Sequence, residues 1–172
     1  MEIIKYTVLV AIIACSTSIG FLLSKRYVDR LNELTDFDVL INILQNKIKF
    51  TQLPLKEVFE DIGKISLKTN VKNIFLRSSS NIENSNLEES WQKAIKEEQV
   101  LLNLKNEDIE TISSLGSILG KSDIEGQISE IDEFKERLNF QIKQAEEEKR
   151  KNSKMFKSLG TIAGLVIVII LF

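Results

Sequence analysis

The sequence predicts an all-α protein, a cytoplasmic helical bundle of about five to six helices flanked by N- and C-terminal transmembrane helices. Three observations predict it. Uncharged apolar runs lie at the beginning and the end of the chain. No stretch between them alternates apolar and polar residues as a strand does. Only one Pro and seven Gly interrupt the 172 residues. We therefore divide the chain into two membrane segments, 1–24 and 158–172, and a helical domain over 25–157.

Both apolar runs are predicted to cross a membrane. Tyr6–Leu23 carries no charge and would span roughly 27 Å as a helix, close to the thickness of a hydrocarbon core. Leu159–Phe172 would span only roughly 21 Å, but Met155 and Phe156 extend it if Lys157 reaches back to the headgroups. Neither run has a polar face, which argues against the alternative of a buried core helix.

Basic residues flank the apolar runs on the side of the central domain. Lys25, Arg26 and Arg30 follow the first run, whereas the N-terminal tail offers only Glu2 and Lys5. A basic cluster precedes the second run and is also a predicted contact for anionic lipid headgroups: Lys149, Arg150, Lys151, Lys154 and Lys157. Because positive flanks stay in the cytoplasm, residues 25–157 are predicted to be cytoplasmic and both termini to lie across the membrane.

The first run also permits an alternative. Ile12–Cys15 resembles the cleavage site of a bacterial lipoprotein, which would make the chain a lipidated or bitopic adaptor with an extracytoplasmic domain. However, a cleaved signal carries its positive charge before the apolar run. Here most of that charge follows the run, which also continues beyond the cysteine to Leu23. We therefore favour the arrangement with two spans.

The first half of the domain predicts three helices. The first covers Leu31–Phe50, and the second opens with Pro54 in its first turn, where the missing N–H costs little. A shorter third helix is predicted over Val71–Arg77, followed by a flexible connection at Ser78–Asn86. The apolar stripes of the first two helices are Val39, Leu40, Ile43, Leu44 and Phe50, and then Leu55, Val58, Phe59 and Ile62.

The second half predicts three more helices, each with a cap. Ser85 and Glu88 are predicted to cap the first as a capping box, and Trp91 lies on its apolar face, so we expect this side chain in the core. Asn106 is predicted to cap the second helix. Ser122 and Glu125 form a second capping box for the third, which we expect to run unbroken into the membrane.

The segment Gly116–Gln127 resembles a nucleotide-binding loop, but its glycine spacing and its position in the chain argue against nucleotide binding. Three residues separate Gly116 from Gly120, whereas a phosphate-binding loop has four and follows a strand. We predict a turn between helices in which Gly120 ends the first helix in a left-handed conformation. Gly126 then lies inside a helix, where glycine costs about 1 kcal/mol relative to alanine. We expect it to allow close approach of another backbone, that of Gly116.

The composition points away from catalysis. Histidine is absent, which removes the commonest general base and metal ligand. The lone Cys15 can form no internal disulfide, and the formal net charge of −2 gives no bias towards nucleic acid. Acidic pairs such as Asp132 and Glu136 fit solvated helix faces. We predict a non-enzymatic protein without catalytic, cofactor or metal sites and without a small-molecule substrate. A pore is disfavoured because the apolar runs lack ionisable residues.

Short segments along the chain carry a family resemblance through their order and spacing. In order they are Gly20–Tyr27, Leu53–Leu55, Trp91 with Ala94, Leu115–Gly116, Leu119–Asp123 with Gln127, and Met155–Gly160. Over essentially the full length, this pattern resembles the stage III sporulation protein AB family of endospore-forming bacteria. The polar stretch at 78–86 departs from the pattern.

The resemblance implies a role in sporulation. The family belongs to an assembly that links the mother cell to the engulfed forespore, and its soluble domain is similar to the cytoplasmic domains of the type II secretion platform protein. Such platforms engage a secretion ATPase, and the sporulation assembly includes an ATPase of this type. The implied partners are this ATPase and other membrane components of the assembly. The implied location is the mother-cell membrane around the forespore, with the central domain in the mother-cell cytoplasm.

Polar residues of the turn within this pattern are candidate partner-binding residues: Lys121, Asp123 and Gln127. Local capping accounts for Ser122, but Lys121 and Gln127 have no evident folding role, and exposed loop residues of that kind favour recognition. The alternative is that Lys121 only complements the C-terminus of the preceding helix, worth about 0.3–1 kcal/mol.

Overall fold

The computed structural model describes residues 2–51, 53–82 and 86–171. Within those ranges it is built from α-helices with one 3-10 turn and contains no strand, which confirms the predicted fold class. The elements are α1 (Glu2–Thr51), α2 (Leu55–Gly63), α3 (Lys72–Asn81), α4 (Leu87–Glu98), the 3-10 turn Gln99–Leu101, α5 (Asn106–Ile118) and α6 (Ile124–Leu171).

The chain separates into two compact units. One, the helix-pair unit, comprises the residues up to Asp29 together with those from Ala145 onward. The other, the central unit, comprises Arg30–Gln144. Helices α1 and α6 each contain a stretch long and apolar enough to cross a membrane, as judged by length and composition. The boundaries predicted from the sequence, at residues 24/25 and 157/158, mark the ends of the apolar runs. The boundaries of the compact units describe packing instead, so they do not test the predicted ones, which stay predictions.

Small residues make the closest backbone contacts inside the helix-pair unit. A Cβ added to Gly20 would lie 2.6 Å from the backbone oxygen of Phe156, and one added to Gly160 would lie 2.9 Å from the Cα of Gly20. The Ser16 hydroxyl donates to the Gly160 carbonyl at 2.6 Å. Large apolar side chains such as Leu22 are exposed in this unit. Helices associate in lipid through small residues of this kind.

The central unit is organised around a buried aromatic cluster with one ring from each of five helices. The cluster consists of Phe37 on α1, Phe59 on α2, Phe75 on α3, Trp91 on α4 and Phe134 on α6. The rings of Phe75 and Trp91 meet edge to face with centroids 5.0 Å apart, a favoured aromatic geometry. The indole N–H of Trp91 donates to the Ile112 carbonyl of α5 at 2.9 Å.

The polar connection predicted at Ser78–Asn86 is wrong in its first part. Helix α3 continues to Asn81, because Ser78 and Ser79 are small enough to be buried within the unit. The Ser79 hydroxyl is satisfied by the Leu76 carbonyl at 2.7 Å. A small polar side chain with such an internal bond can be buried at low cost, whereas the buried Ser78 hydroxyl has no hydrogen-bond partner in the described structure.

Helix starts differ from the predictions by about one residue. The predicted cap Ser85 lies outside the described residues, and the N-cap of α4 is Asn86, whose Oδ1 accepts the Glu89 N–H at 2.9 Å. Asn106 is the first residue of α5 rather than its cap. Pro54 likewise precedes α2 as its N-cap instead of lying in its first turn.

The central unit has two ends along α1. At the Arg30 end, the Glu33 carboxylate accepts the Asn103 N–H at 2.7 Å, and the Asp36 carboxylate accepts the Thr69 N–H at 3.0 Å. The α2–α3 and α4–α5 connections therefore lie at this end. At the Thr51 end, α1 stops and α2 begins a few residues later. The ends are separated by roughly 30 Å, the length of α1 between Arg30 and Thr51.

Candidate partner-binding groove

A groove of about 550 Å³ opens at the Thr51 end of the central unit. It is lined by residues from the start of α2, the end of α3, the start of α4 and the end of α5. Its apolar lining includes Leu55, Ile82, Leu87 and Leu119. Charged residues also line it: Lys56, Glu88 and Lys121. The groove thus brings together Leu53–Leu55 and Leu119–Asp123, two segments of the sequence pattern that are far apart along the chain.

The turn that borders the groove depends on Gly120. Its φ is +78°, a conformation that residues other than glycine rarely adopt. The nearest atom to an added Cβ would be Leu55 Cδ1 at 3.6 Å, which is ordinary contact. The backbone conformation, rather than lack of space, therefore requires glycine here, as the sequence predicted for the end of this helix.

Gln127 closes this turn from the first part of α6. Its side-chain oxygen accepts the Gly120 N–H at 3.2 Å, and its amide group donates to the Ser122 carbonyl at 2.9 Å. The prediction that Gln127 has no folding role is therefore wrong. Two bonds to the backbone of one turn fix the shape of that turn.

The cap of α6 is Asp123, and the prediction of Ser122 is wrong. The Asp123 carboxylate accepts the Gly126 N–H at 2.9 Å, and the helix begins at Ile124. A carboxylate at this position both satisfies a free N–H group and complements the positive end of the helix. Asp123 thus has a structural task in addition to any role in recognition.

Lys121 lies beside an acidic residue of another helix. Its ammonium group is 2.8 Å from a carboxylate oxygen of Glu88, and about half of each side chain is exposed. Exposed pairs of this kind contribute little to stability. The pair therefore orients Lys121 at the groove without making it necessary for folding.

Two glycines near the turn make room for neighbouring groups other than the predicted ones. A Cβ on Gly126 would lie 2.9 Å from Asp123 Oδ1 and 3.0 Å from the Ser122 Cβ. This glycine leaves room for the helix cap, and the predicted approach of Gly116 is wrong. A Cβ on Gly116 would lie 2.7 Å from Trp91 Cδ1, so Gly116 instead makes space for the buried indole below the groove.

Two charged contacts elsewhere in the central unit shift side-chain pKa values. The Lys47 ammonium donates to Asp61 at 2.8 Å and lowers the pKa of that carboxyl. The buried Glu98 carboxylate accepts from the Arg77 guanidinium and raises the pKa of Arg77. In both cases the hydrogen bond to the opposite charge is the larger cause, because it favours the charged form of each group.

One buried ion pair at the Arg30 end has no local signature in the sequence. The Arg30 guanidinium donates two hydrogen bonds to the Asp108 carboxylate, at 2.7 and 2.9 Å, and both side chains are almost fully buried. Asp108 also accepts the Lys105 N–H at 2.8 Å. Arg30 was counted as a basic flank of the first apolar run, but it belongs to the fold of the central unit.

The basic cluster before the second apolar run lies on α6. All its members are at least partly exposed: Lys149, Arg150, Lys151, Lys154 and Lys157. The Lys157 ammonium lies 4.6 Å from the centroid of the Phe21 ring, a distance at which a cation is attracted to an aromatic face. Contact of this cluster with lipid headgroups stays a prediction. Within the described parts of the chain, no group of three or more His, Cys, Asp or Glu residues is placed to hold a metal ion.

Comparison with known proteins gives a consistent result. The family model described as stage III sporulation protein AB matches residues 5–172. A relative from Bacillus subtilis (strain 168), named stage III sporulation protein AB, is 27% identical over 164 residues, which cover 94% of this chain and 95% of the relative. A solved structure of stage III sporulation protein AB shares the fold, with a TM-score of 0.65 at 20% identity over 70% of this chain and 96% of that one. The chain therefore belongs to the stage III sporulation protein AB family.

Proposed function

We propose that this protein is a non-enzymatic membrane platform of the sporulation assembly between mother cell and forespore. In this proposal, the central unit lies in the mother-cell cytoplasm and engages a secretion-type ATPase, while α1 and α6 hold it in the membrane around the forespore. Membership of the family supports a role in sporulation. The similarity to type II secretion platforms implied by the sequence pattern supports the ATPase as partner.

The lining of the groove is the observation that carries the proposal. Within the central unit, the groove brings together Pro54–Leu55 and Leu119–Lys121, parts of two segments of the sequence pattern that implies the platform role. Apolar and charged side chains line the same opening, a combination typical of surfaces that bind another protein.

The turn also has the chemistry of a recognition surface. Gly120 and Gln127 fix its backbone, and Lys121 is held at the groove by Glu88. A preorganised polar turn loses little conformational freedom when it binds, which favours affinity. The Gly-Lys-Ser sequence itself connects two helices, whereas a phosphate-binding loop follows a strand. We therefore assign ATP hydrolysis to the partner.

Site-specific photocrosslinking in sporulating cells tests the proposal. A photoreactive amino acid replaces Lys121 in the full chain, and a matched chain carries it at Lys68, an exposed lysine at the Arg30 end. We expect the ATPase to be captured from position 121 and not from position 68. Capture from neither position, or equal capture from both, contradicts the proposal.

A charge exchange separates recognition by Lys121 from its structural pairing. Lys121→Glu should weaken capture of the ATPase by the full chain in a pull-down. Adding Glu88→Lys restores an opposite-charge pair between the two positions but leaves the turn without its cation. We expect binding to stay weak in the double variant. If the exchange restores binding, the pair is needed only for local structure, and Lys121 does not contact the partner.

A further inference from the structure

The last turn of α1 exposes an aromatic ring at the Thr51 end of the central unit. The side chain of Phe50 is 72% exposed, the highest value among the aromatic residues that the structure describes. The ring has a contact with an exposed neighbour, because the Lys49 ammonium lies 5.3 Å from its centroid. All five rings of the aromatic cluster are fully buried, so the core does not require an aromatic residue at this position.

The backbone that carries this ring is held by the rest of the central unit. Ile48, on the inner side of the same turn, is buried. The Thr51 hydroxyl donates to the Lys47 carbonyl at 2.7 Å, and the Lys47 ammonium donates to the Asp61 carboxylate of α2 at 2.8 Å. A ring presented from a fixed backbone loses little conformational freedom when a partner covers it, which favours affinity.

The exposed ring lies close to the wall of the groove. Leu53 is 41% exposed and directly precedes Pro54 and Leu55, which line the groove. Four positions of chain separate Phe50 from Pro54, a reach of at most about 14 Å. An exposed apolar side chain therefore lies on each side of the point where the chain enters the groove wall.

The size of a protein interface brings Phe50 under the partner that occupies the groove. A specific interface of standard size covers about 800 Å² on each partner, a patch roughly 30 Å across. A partner seated on the groove with a contact of that size also reaches the end of α1. Aromatic residues are enriched in such interfaces, and burying a ring of this kind contributes strongly to binding.

A second exposed phenylalanine offers a comparison. Phe140 is 60% exposed and lies on α6, 16 positions after Ile124, the first residue of that helix. That separation corresponds to roughly 24 Å along the helix, towards the Arg30 end of the central unit. Phe140 therefore presents the same side chain to solvent at a distance from the groove.

We infer that Phe50 is an aromatic anchor for the partner that occupies the groove. The inference rests on the proposed function and extends its site, so that the contact surface runs from the Gly120–Asp123 turn across the groove to the end of α1. The partner then has two complementary features: groups that fill the groove, and beside them an apolar pocket that receives the Phe50 ring.

Photocrosslinking from single positions tests the anchor in sporulating cells. A photoreactive phenylalanine derivative, which keeps the aromatic ring, replaces Phe50 in one full chain and Phe140 in a matched chain. A third chain carries the derivative at Lys121, the position that tests the proposed function. We expect capture of the ATPase from positions 50 and 121 and not from position 140.

The three positions separate the possible failures. If position 121 captures the ATPase and position 50 does not, the inference is wrong although the proposed function holds. If position 121 captures nothing, the proposed function fails and the inference with it. Equal capture from positions 50 and 140 would show that any exposed ring is crosslinked and would overturn the anchor. Capture of a second copy of this chain from position 50 would assign the ring to self-association and overturn it as well.

Replacing each ring measures how much it contributes to binding. The affinity of the purified full chain for the purified ATPase should fall about 30-fold with Phe50→Ala, the effect typical of an anchor residue, and stay unchanged with Phe140→Ala. Because both rings are exposed, neither substitution should change the thermal unfolding of the chain in detergent appreciably. Unchanged affinity with Phe50→Ala, or a large fall in its unfolding temperature, would contradict the inference.

Discussion

The two units use the same helix, α1, in opposite ways. In the helix-pair unit, α1 makes its contacts through Ser16, Gly20 and Ser24 and leaves its large apolar side chains exposed. In the central unit, α1 buries large side chains such as Phe37 and Leu44. One continuous helix therefore changes from small contact residues to large ones along its length.

The difference is the one expected of a helix that passes from lipid into water. In water, burying apolar side chains is the main stabilising contribution, so the central unit places its aromatic rings inside. In lipid, an apolar side chain gains little by leaving the acyl chains, and helices associate instead through close backbone approach and interhelical hydrogen bonds. Substitutions that test the packing of one unit should therefore leave the other unit unaffected.

The largest effect is expected from Asp108→Ala. The substitution removes the two hydrogen bonds and the opposite charge that Asp108 gives the buried Arg30 guanidinium, and it removes a cap of α5. Breaking one side of a buried pair costs about 3–5 kcal/mol. The thermal unfolding of the full chain in detergent, followed by circular dichroism, should shift strongly to lower temperature. The exposed neighbour Glu107 serves as control, because Glu107→Ala should change stability by less than about 0.5 kcal/mol.

A double substitution sharpens this test. Arg30→Met with Asp108→Leu removes both charges and should recover much of the lost stability, because neither group is then buried alone. If the double variant is as unstable as Asp108→Ala, the loss comes from the helix cap rather than from the buried arginine that has lost Asp108.

A smaller loss is expected from Gly116→Ala. The added methyl group would lie 2.7 Å from Trp91 Cδ1, and overpacking of this kind costs about 1–3 kcal/mol. Ser117→Ala, at the exposed next position, is the matched control. Stability unchanged by Gly116→Ala would show that the indole can move and that the glycine is not required by the packing.

The Lys47–Asp61 pair predicts a still smaller effect that depends on pH. Because Lys47 lowers the pKa of Asp61 below its ordinary value of 3.8, the pair stabilises the folded state above that pH. Its contribution is lost as the pH falls through the lowered pKa. We expect Lys47→Met to lower the unfolding temperature slightly near neutral pH, and the difference from the unsubstituted chain to vanish in acid. Lys143→Met, an exposed control on α6, should show no such dependence.

Gly20→Leu should leave the unfolding of the central unit unchanged while it separates the helix pair. In a Cys15→Ala chain, the hydroxyls of Ser24 and Ser153 lie 2.6 Å apart, so cysteines at both positions should form a disulfide readily. Gly20→Leu places a large side chain where only a hydrogen fits and should abolish most of this crosslink. Leu22→Ala, on the exposed side of the helix, should preserve it. A crosslink that persists with Gly20→Leu would contradict the close helix contact.

The sequence predicted the features that depend on local pattern. The all-α class, the two apolar segments and the left-handed Gly120 each follow from residues that are close together along the chain. The N-caps at Asn86 and Asp123 were missed by one position, because neighbouring polar residues compete to cap the same helix. The interiors of the helices were easier to predict than their ends.

Features that depend on distant contacts were not predictable. Arg30 and Asp108 are 78 residues apart, and nothing in either local segment indicates their pairing. Ser78 and Ser79 read as a polar connection because their burial depends on the helices around them. For the groove, the sequence indicated the Gly120–Asp123 turn but not its juxtaposition with Leu55 and Leu87, which only the fold brings about.

The orientation of the central unit is the central claim. Thiol accessibility tests it most directly in intact vegetative cells that express the chain, because there the outer face of the cell membrane meets the medium. In a Cys15→Ala chain, a cysteine replaces Lys121 at the exposed turn, and a second chain carries it at Glu2 in the N-terminal tail. With a membrane-impermeant thiol reagent, we expect labelling of position 2 in intact cells and labelling of position 121 only after lysis. Labelling of position 121 without lysis would place the groove outside the cytoplasm and contradict the platform account.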